Sequence, residues 1–216
     1  SIYYVEPGRL AIDFEFDQGK KYYFRDITWT GNSVYSTNDL NEILKIKKGD
    51  PYDVVTMKHR LSGGGKQTDQ DVAKIYRDNG YLFFDINPVE LNITGDSVDV
   101  EIRVTEGKQA TLNNIVINGN DLTSEKVVRR QIFTRPGYLF SQSDFERSIR
   151  EIASLGQFDP EAIAGEGGYS IIPNQMNNTV DLVYNVTEKP SSQLELSGGW
   201  GANTFVASVG VSFNNF

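Results

Sequence analysis

The chain has 216 residues, of which 38% are hydrophobic and 23% are charged, a composition typical of a folded protein of one to three domains and not of a disordered one. Its net charge of −8 argues against a nucleic-acid or anionic-lipid surface, which requires an excess of lysine and arginine. With no cysteine and a single histidine, His59, the chain has neither thiol chemistry nor a cysteine or histidine pair for zinc.

The first predicted element is a strand that closes a unit. An alternation of apolar residues with the period of a half-buried strand begins at residue 10 and occurs again 88 positions later, at 98–104, and a third time at 180–186. Thr-Glu-Gly follows the second copy, and Thr-Glu-Lys follows the third. In the first strand the alternating residues are Leu10, Ile12, Phe14 and Phe16. Three units therefore close with the same strand, and we expect residues 1–20 to end a preceding domain.

The next strand of each unit ends in a Gly-Asn dipeptide. Gly31-Asn32 follows the alternating apolar residues of 24–29, and Gly119-Asn120 follows those of 112–117. Because Gly-Asn tolerates positive φ, it marks a turn. A first helix is predicted directly after each turn, capped by Ser or Thr.

A second helix follows in each unit. The loops 48–52 and 135–138 precede it, and their similarity aligns Tyr52 with Tyr138. In the first unit the run Gly63–Gly65 predicts a broken helix, because each glycine costs about 0.8–1 kcal/mol in a helix interior. Each unit then closes with two strands, so the fold class is α+β: tandem β-α-α-β-β units, each a three-stranded mixed sheet with two helices on one face.

Six phrases occur in a fixed order along the chain. They are the Thr-Glu ending of the closing strand, the Gly-Asn turn, "VVRRQI" (127–132), "SLGQFD" (154–159), "VDLVYNVTEK" (180–189) and "LELSGGWG" (194–201). Over nearly the whole chain this order resembles the barrel-proximal POTRA domains of BamA-type outer-membrane assembly factors. The resemblance implies POTRA domains at 21–106 and 107–190, and the first hairpin of a transmembrane β-barrel at 191–216.

The tail has a pattern of its own. Two segments of about 8–10 residues alternate apolar and small or polar residues, with a turn at Ala202-Asn203, as barrel strands do. The pattern by itself fits a soluble hairpin equally well. Two strands cannot close a barrel, so we expect the chain to be part of a larger membrane protein. The resemblance places a seam strand, where substrate strands enter, at Leu194, Leu196, Gly198 and Trp200.

No catalytic constellation is found in the sequence. "GGGKQT" (63–68) resembles a phosphate-binding loop, but Arg60 and Gln67 occupy positions that need Gly and Ser or Thr. His59 has no second histidine or cysteine with which to form a metal site or a nucleophilic pair. We therefore expect a protein that is not an enzyme and that uses no cofactor or metal.

Prolines suggest where binding occurs. Pro88 and Pro173 lie in the second strand of their units, and proline is confined to edge strands or bulges because it lacks a ladder donor. An edge can accept an added peptide strand, although an edge proline can equally protect it from such pairing. The candidate edge residues are Leu82, Phe83, Phe84, Ile86, Val89, Tyr169, Ile171 and Ile172.

The resemblance implies a second surface. The family has an Arg-Arg-Glu phrase on the first helix of the barrel-proximal domain that pairs with a lipoprotein, and Arg129, Arg130 and Gln131 occupy those positions here. The glutamate is absent, which leaves open whether the partner or the contact differs. A solvated helix face is the alternative.

The function implied by the resemblance is reception of unfolded outer-membrane β-barrel proteins in the periplasm, with accessory lipoproteins as further partners and attachment to the outer membrane through the barrel. Two alternatives stay open: the POTRA region of a two-partner secretion transporter, and a structural surface repeat protein that binds no client.

Overall fold

The computed structural model describes residues 2–6, 9–14, 19–63, 71–190, 192–201 and 204–213. No helix within these ranges has the length and hydrophobicity needed to cross a membrane. The predicted strand residue Phe16 lies outside the described residues, as do most of the glycine-rich insertion and the turn at Ala202-Asn203.

The elements follow the predicted order, with additions. The first part of the chain contains β1 (Ile2–Glu6), β2 (Arg9–Ile12), β3 (Tyr23–Thr30), α1 (Thr37–Leu44), α2 (Val54–Ser62), α3 (Val72–Asp78), β4 (Asp85–Thr94) and β5 (Ser97–Thr105). The second part contains β6 (Thr111–Asn118), α4 (Glu125–Arg129), α5 (Gln142–Ser154), α6 (Pro160–Ala164), β7 (Tyr169–Asn174), β8 (Thr179–Asn185), β9 (Ser192–Gly201) and β10 (Thr204–Phe213).

Two three-stranded sheets form the body of the protein. Their strand orders are β3-β5-β4 and β6-β8-β7, and in each the central strand is parallel to the first strand and antiparallel to the second. The predicted mixed sheets are therefore confirmed. The buried side chains of β5 and β8, such as Val100 and Leu182, pack with those of the helices in two separate hydrophobic clusters, so each unit has its own core.

The helices differ from the prediction in one respect. The second helix of the first unit is interrupted as expected, because α2 ends at Ser62 and α3 begins at Val72. The short helix α6 was not predicted. Its N-cap, Asp159, accepts a hydrogen bond from the Glu161 amide at 2.9 Å and precedes a proline at the first helical position, which is favourable helix-start chemistry.

The alignment of Tyr52 with Tyr138 is wrong by two residues. In both units the loop before the second helix pairs with the outer side of the first strand, as shown by Phe24 N to Asp50 O at 2.9 Å and Leu112 N to Tyr138 O at 2.8 Å. Asp50 therefore corresponds to Tyr138, and Tyr52 corresponds to Phe140. Corresponding residues of the two units are therefore 88 positions apart in this loop, as elsewhere in the repeat, whereas the similarity of the loop sequences suggested 86.

The Gly-Asn turns are fixed by a close approach of backbone. Gly31 has φ +84°, and a Cβ at this position would lie 2.1 Å from the carbonyl oxygen of Val104. Gly119 has φ +85°, and its Cβ would lie 2.0 Å from the oxygen of Val186. Only glycine fits these two positions, because both the backbone conformation and the space exclude a side chain.

The Thr-Glu endings hold the same turns from the other side. The Glu106 carboxylate accepts hydrogen bonds from the amides of Ser33 at 2.8 Å and Val34 at 2.9 Å. The Glu188 carboxylate accepts from the amides of Leu122 at 3.0 Å and Thr123 at 2.5 Å. The Thr-Glu ending and the residues after the Gly-Asn turn of the same unit therefore contact each other, which explains why both motifs recur.

The two units are joined by direct contacts. The Asp78 carboxylate at the end of α3 accepts hydrogen bonds from the Ser143 amide at 2.6 Å and from the Ser143 hydroxyl at 2.7 Å, and so caps α5 of the next unit. Lys74 forms a salt bridge with Glu146 at 3.2 Å, and the Ala110 amide donates to the Gly80 carbonyl at 2.7 Å.

Candidate binding edges and surfaces

The strand β7 is an edge, as its proline predicted. No strand of the described residues pairs with its outer side. The Asn185 amide donates to the Gly168 carbonyl at 2.8 Å, and alternation along an antiparallel ladder then directs the backbone groups of Tyr169, Ile171 and Pro173 outward. The missing N–H of Pro173 is therefore on the open side, and the amides of Tyr169 and Ile171 are available to an added strand.

A groove runs between β7 and α5. It has a volume of about 280 Å³, and its apolar lining comes from Phe145, Ile149, Ala153, Tyr169 and Ile171. The rings of Tyr169 and Phe145 pack edge to face, with centroids 5.2 Å apart. A peptide strand added to β7 would place alternate side chains over this groove. Ile172 lies on the opposite face of the sheet, across from Asp181, and is 52% exposed.

The corresponding edge of the first unit is β4, which contains Ile86 and Val89. Ile86 pairs with Val104 and Val89 with Glu101, so the two side chains lie on opposite faces of the sheet. The strand bulges at Leu91, which has no partner in β5. Such a bulge bends the strand and interrupts the ladder.

Two residues of this edge were missed by the sequence analysis. Leu91 is 54% exposed and Ile93 is 55% exposed, so the far end of β4 presents apolar side chains to solvent. Their alternation is visible in the sequence, but they lie beyond Pro88, the residue that indicates the edge.

The placement of Leu82, Phe83 and Phe84 on this edge is wrong. The chain turns after α3 through Gly80, with φ +85°, and β4 begins only at Asp85. Phe84 is buried, and its ring stacks on that of Tyr76 at 4.2 Å. Leu82 and Phe83 pack against the core of the second unit. Their hydrophobicity serves the joint between the units.

The arginine pair of α4 is divided between two environments. Arg129 contacts Glu125 at 2.7 Å through Nε and the Ile115 carbonyl at 3.2 Å through a terminal nitrogen, so it covers the outer side of β6. Arg130 is exposed at the C-cap of α4, and its guanidinium makes no hydrogen bond or ion pair with the described residues. Gln131 is half-buried. Of the three residues, Arg130 is the one best placed to meet a partner.

The tail forms the predicted hairpin of β9 and β10. Leu194 pairs with Val211, Leu196 with Val209, Gly198 with Ala207, and Trp200 with Phe205. Leu196, Trp200 and Phe205 therefore share one face, and their side chains are exposed, Leu196 by 71% and Trp200 by 79%. On the other face the hydroxyl oxygens of Ser197 and Ser208 lie 2.6 Å apart.

Comparison with known proteins identifies similar chains. The family model for POTRA, described as "Surface antigen variable number repeat", matches residues 22–107 and 110–189. The outer membrane protein assembly factor BamA of Neisseria meningitidis serogroup B is 32% identical over 143 residues, which is 63% of this chain and 17% of that protein. BamA of Neorickettsia risticii is 24% identical over 201 residues, which is 92% of this chain and 25% of that protein.

The fold has a solved counterpart. A crystal structure of BamA from Haemophilus ducreyi lacking POTRA domains 1–3 matches with a TM-score of 0.63 and 17% identity, over 89% of this chain and 34% of that chain. At this identity the match concerns the fold alone. The chain spans a quarter or less of the length of the curated relatives it matches.

Proposed function

The chain belongs to the POTRA family, and from this membership we propose that it is the periplasmic part of an outer-membrane protein assembly factor, which receives unfolded β-barrel proteins and docks accessory subunits. Relatives that carry the name of assembly factor BamA support the general role. We propose the domain bounds 21–106 and 107–190, supported by the two separate cores. The role is one of binding and assembly, not of catalysis.

Reception of clients takes place by strand addition. The observation on which this rests is the open β7 edge beside a groove of about 280 Å³ that is lined by apolar and polar side chains. Main-chain pairing is indifferent to side-chain identity, which suits a module that handles many different unfolded barrel proteins. Tyr169 and Ile171 supply the outward amides, Ile172 lies on the open face, and Ile86 and Val89 mark the corresponding edge of the first unit.

The hairpin 191–216 begins the barrel. The exposed apolar face of β9 and β10 is what a lipid-facing surface requires, and it would anchor the protein in the outer membrane. In this proposal Leu194, Leu196, Gly198 and Trp200 lie on the seam strand. Accessory lipoproteins dock on the side of α4, where Arg130 is exposed.

The test is an NMR titration of the 216-residue chain with an unfolded peptide from the last strand of a barrel protein. A scrambled peptide of the same composition is the matched control, because backbone-led addition tolerates scrambling. We expect amide shifts in 169–174 and in 85–94 with both peptides. No shift at either edge would contradict client reception, and would favour a structural repeat or a secretion transporter that recognises its partner elsewhere.

A further inference from the structure

The two units share a surface depression at the same place in the fold. In the first unit it is lined by residues that include Lys45, Ile46, Asp50 and Pro51. In the second unit the residues 88 positions later line it: Phe133, Thr134, Tyr138 and Leu139. Both depressions lie where the loop between the first and second helices covers the outer side of the first strand. We name them the first and second loop pockets.

The linings of the two loop pockets differ. In the first, the Arg60 guanidinium donates to the carbonyls of Leu44 at 3.0 Å and Lys45 at 2.5 Å, and two acidic residues, Asp50 and Asp53, balance the two basic ones. Its volume is about 250 Å³. The Arg60 guanidinium and the carboxylates of Asp50 and Asp53 are therefore hydrogen-bonded within the unit.

The second loop pocket is larger and has apolar side chains exposed at its wall. Its volume is about 430 Å³, and Tyr138 is 67% exposed and Leu139 47% exposed at its wall. The Arg147 guanidinium carbon lies 3.8 Å from the centroid of the Phe133 ring. This cation–π contact holds the ring in place, with the arginine still exposed.

The surroundings of the second loop pocket are basic although the protein is acidic. Residues 125–151 contain six Lys or Arg and four Asp or Glu, a net charge of +2. Since the chain has a net charge of −8, the remaining residues sum to −10. Arg135 lines the pocket, Arg147 covers the Phe133 ring, and Arg130 is the C-cap of α4, three residues before Phe133. Asp144 is the one acidic residue of the lining.

We propose that the second loop pocket docks an acidic segment of a partner protein, which inserts one aromatic or aliphatic side chain between Phe133, Tyr138 and Leu139 and pairs its carboxylates with Arg135, Arg147 and Arg130. An apolar anchor surrounded by charge complementarity is the usual anatomy of a specific contact. The proposal deepens the docking part of the proposed function and rests on it for the identification of the partner as an accessory subunit.

The test uses a short soluble peptide with one phenylalanine between glutamates, titrated into the 216-residue chain and followed by amide shifts and fluorescence polarisation. Two control peptides replace the phenylalanine by alanine or the glutamates by lysines. The double variant R135E/R147E reverses the charge of the pocket. K47E is the matched control, since Lys47 occupies the position in the first unit that corresponds to Arg135.

We expect amide shifts at 133–139 and 144–147 with the phenylalanine-glutamate peptide. Its affinity should fall about tenfold or more in R135E/R147E and change less than about twofold in K47E. Either control peptide should bind the unaltered chain about tenfold or more weakly. The milder variant R135Q should give an intermediate loss if the double variant does not fold. Equal binding of the lysine peptide, or unchanged affinity in R135E/R147E, would overturn the proposal. So would self-association that the peptide cannot displace, or binding to anionic vesicles in place of the peptide.

Docking and client reception are separable in this experiment. Strand addition is read from 169–174 and docking from 133–139, which do not line the groove beside β7, so either can fail while the other is observed.

Discussion

At the scale of single residues, a few contacts explain why the Gly-Asn turn and the Thr-Glu ending recur in both units. Gly31 and Gly119 lie against a carbonyl of the closing strand, and Glu106 and Glu188 bind the amides that follow the turns. The glycine permits the close approach and the glutamate satisfies the amides exposed by it. Both motifs are thus structural, because together they hold the turn after the first strand of a unit against the end of its last strand.

The glycine requirement can be tested by G31A. Because the new Cβ would lie 2.1 Å from the Val104 oxygen at φ +84°, we expect a loss of about 3 kcal/mol or more in the free energy of unfolding. G49A is the matched control: Gly49 has φ +90° but no atom within 4 Å of its Cβ position, so only the backbone penalty of about 1 kcal/mol applies. Urea denaturation measures both. Equal losses of unfolding free energy in G31A and G49A would show that the approach of residue 31 to the Val104 oxygen does not affect stability.

The glutamate can be tested through pH. Burial raises the pKa of the Glu106 carboxyl, but hydrogen bonds from Ser33, Val34 and Tyr76 outweigh it and leave the pKa below its ordinary value. A lowered folded-state pKa adds stability that is complete above the unfolded value of about 4.3 and is lost as pH falls through the folded value.

We therefore expect E106Q to lose about 1 kcal/mol at neutral pH and to lose less stability than the wild type on acidification. The control is E42Q, because Glu42 is exposed on α1. Thermal unfolding from neutral to acidic pH gives the comparison. Parallel pH curves for E106Q and the wild type would contradict the assignment.

At the scale of elements, the two prolines mark the two edge strands β4 and β7, and the direction of the backbone groups in β7 shows which side of that strand the proline affects. Pro173 lies at an outward position, where its missing N–H does not disturb the pairing with β8. It therefore ends the open ladder after Tyr169 and Ile171. The N–H groups of Tyr169 and Ile171 can pair with an added strand, whereas Pro173 has no N–H to offer. The proline therefore blocks strand addition at one end of β7 and leaves the other end open to it.

This gives a test that removes one backbone donor. In I171P the outward N–H of residue 171 is deleted while the ladder to β8 is kept, so we expect strand addition by a barrel peptide to weaken at least about tenfold. I171A is the control, because it loses the same side chain from the groove but keeps the N–H. The affinities come from the peptide titration. Equal affinities for the two variants would mean that the side chain, not the backbone, binds the peptide.

At the scale of the whole molecule, the joint between the units uses both polar and apolar contacts. Asp78 caps α5 of the second unit, and Leu82 and Phe83 pack against its core. A cap from another unit fixes the direction of the helix it satisfies, and the apolar contact resists its separation. We expect the two units to move as one body.

The double variant D78A/F83A should loosen this joint. Amide relaxation measures the rotational correlation time of each unit, and we expect the two values to be equal in the wild type and to diverge in the variant, with each core intact. L91A/D96A makes similar changes at exposed positions of the first unit and should leave the values equal. Divergence in the wild type itself would refute the rigid joint.

The sequence by itself determined the repeat, the order of elements and the edge position of β4 and β7. These follow from local rules: alternation specifies strands, glycine specifies positive φ, and proline excludes a central strand. The two-faced pattern of the tail likewise determined which residues of β9 and β10 share a face, because strand periodicity is fixed by backbone geometry.

Only the tertiary structure decided what depends on contacts between distant residues. Leu82 and Phe83 look like strand residues, but the turn at Gly80 directs them into the neighbouring unit. Arg129 and Arg130 are adjacent and chemically identical, yet a carbonyl of β6 engages only the first. The residues that line the two loop pockets correspond at a spacing of 88 positions, which the backbone pairing sets, and not at the 86 that the loop sequences suggest. Side-chain chemistry is local, whereas burial and partnership are set by the packing of elements far apart in the chain.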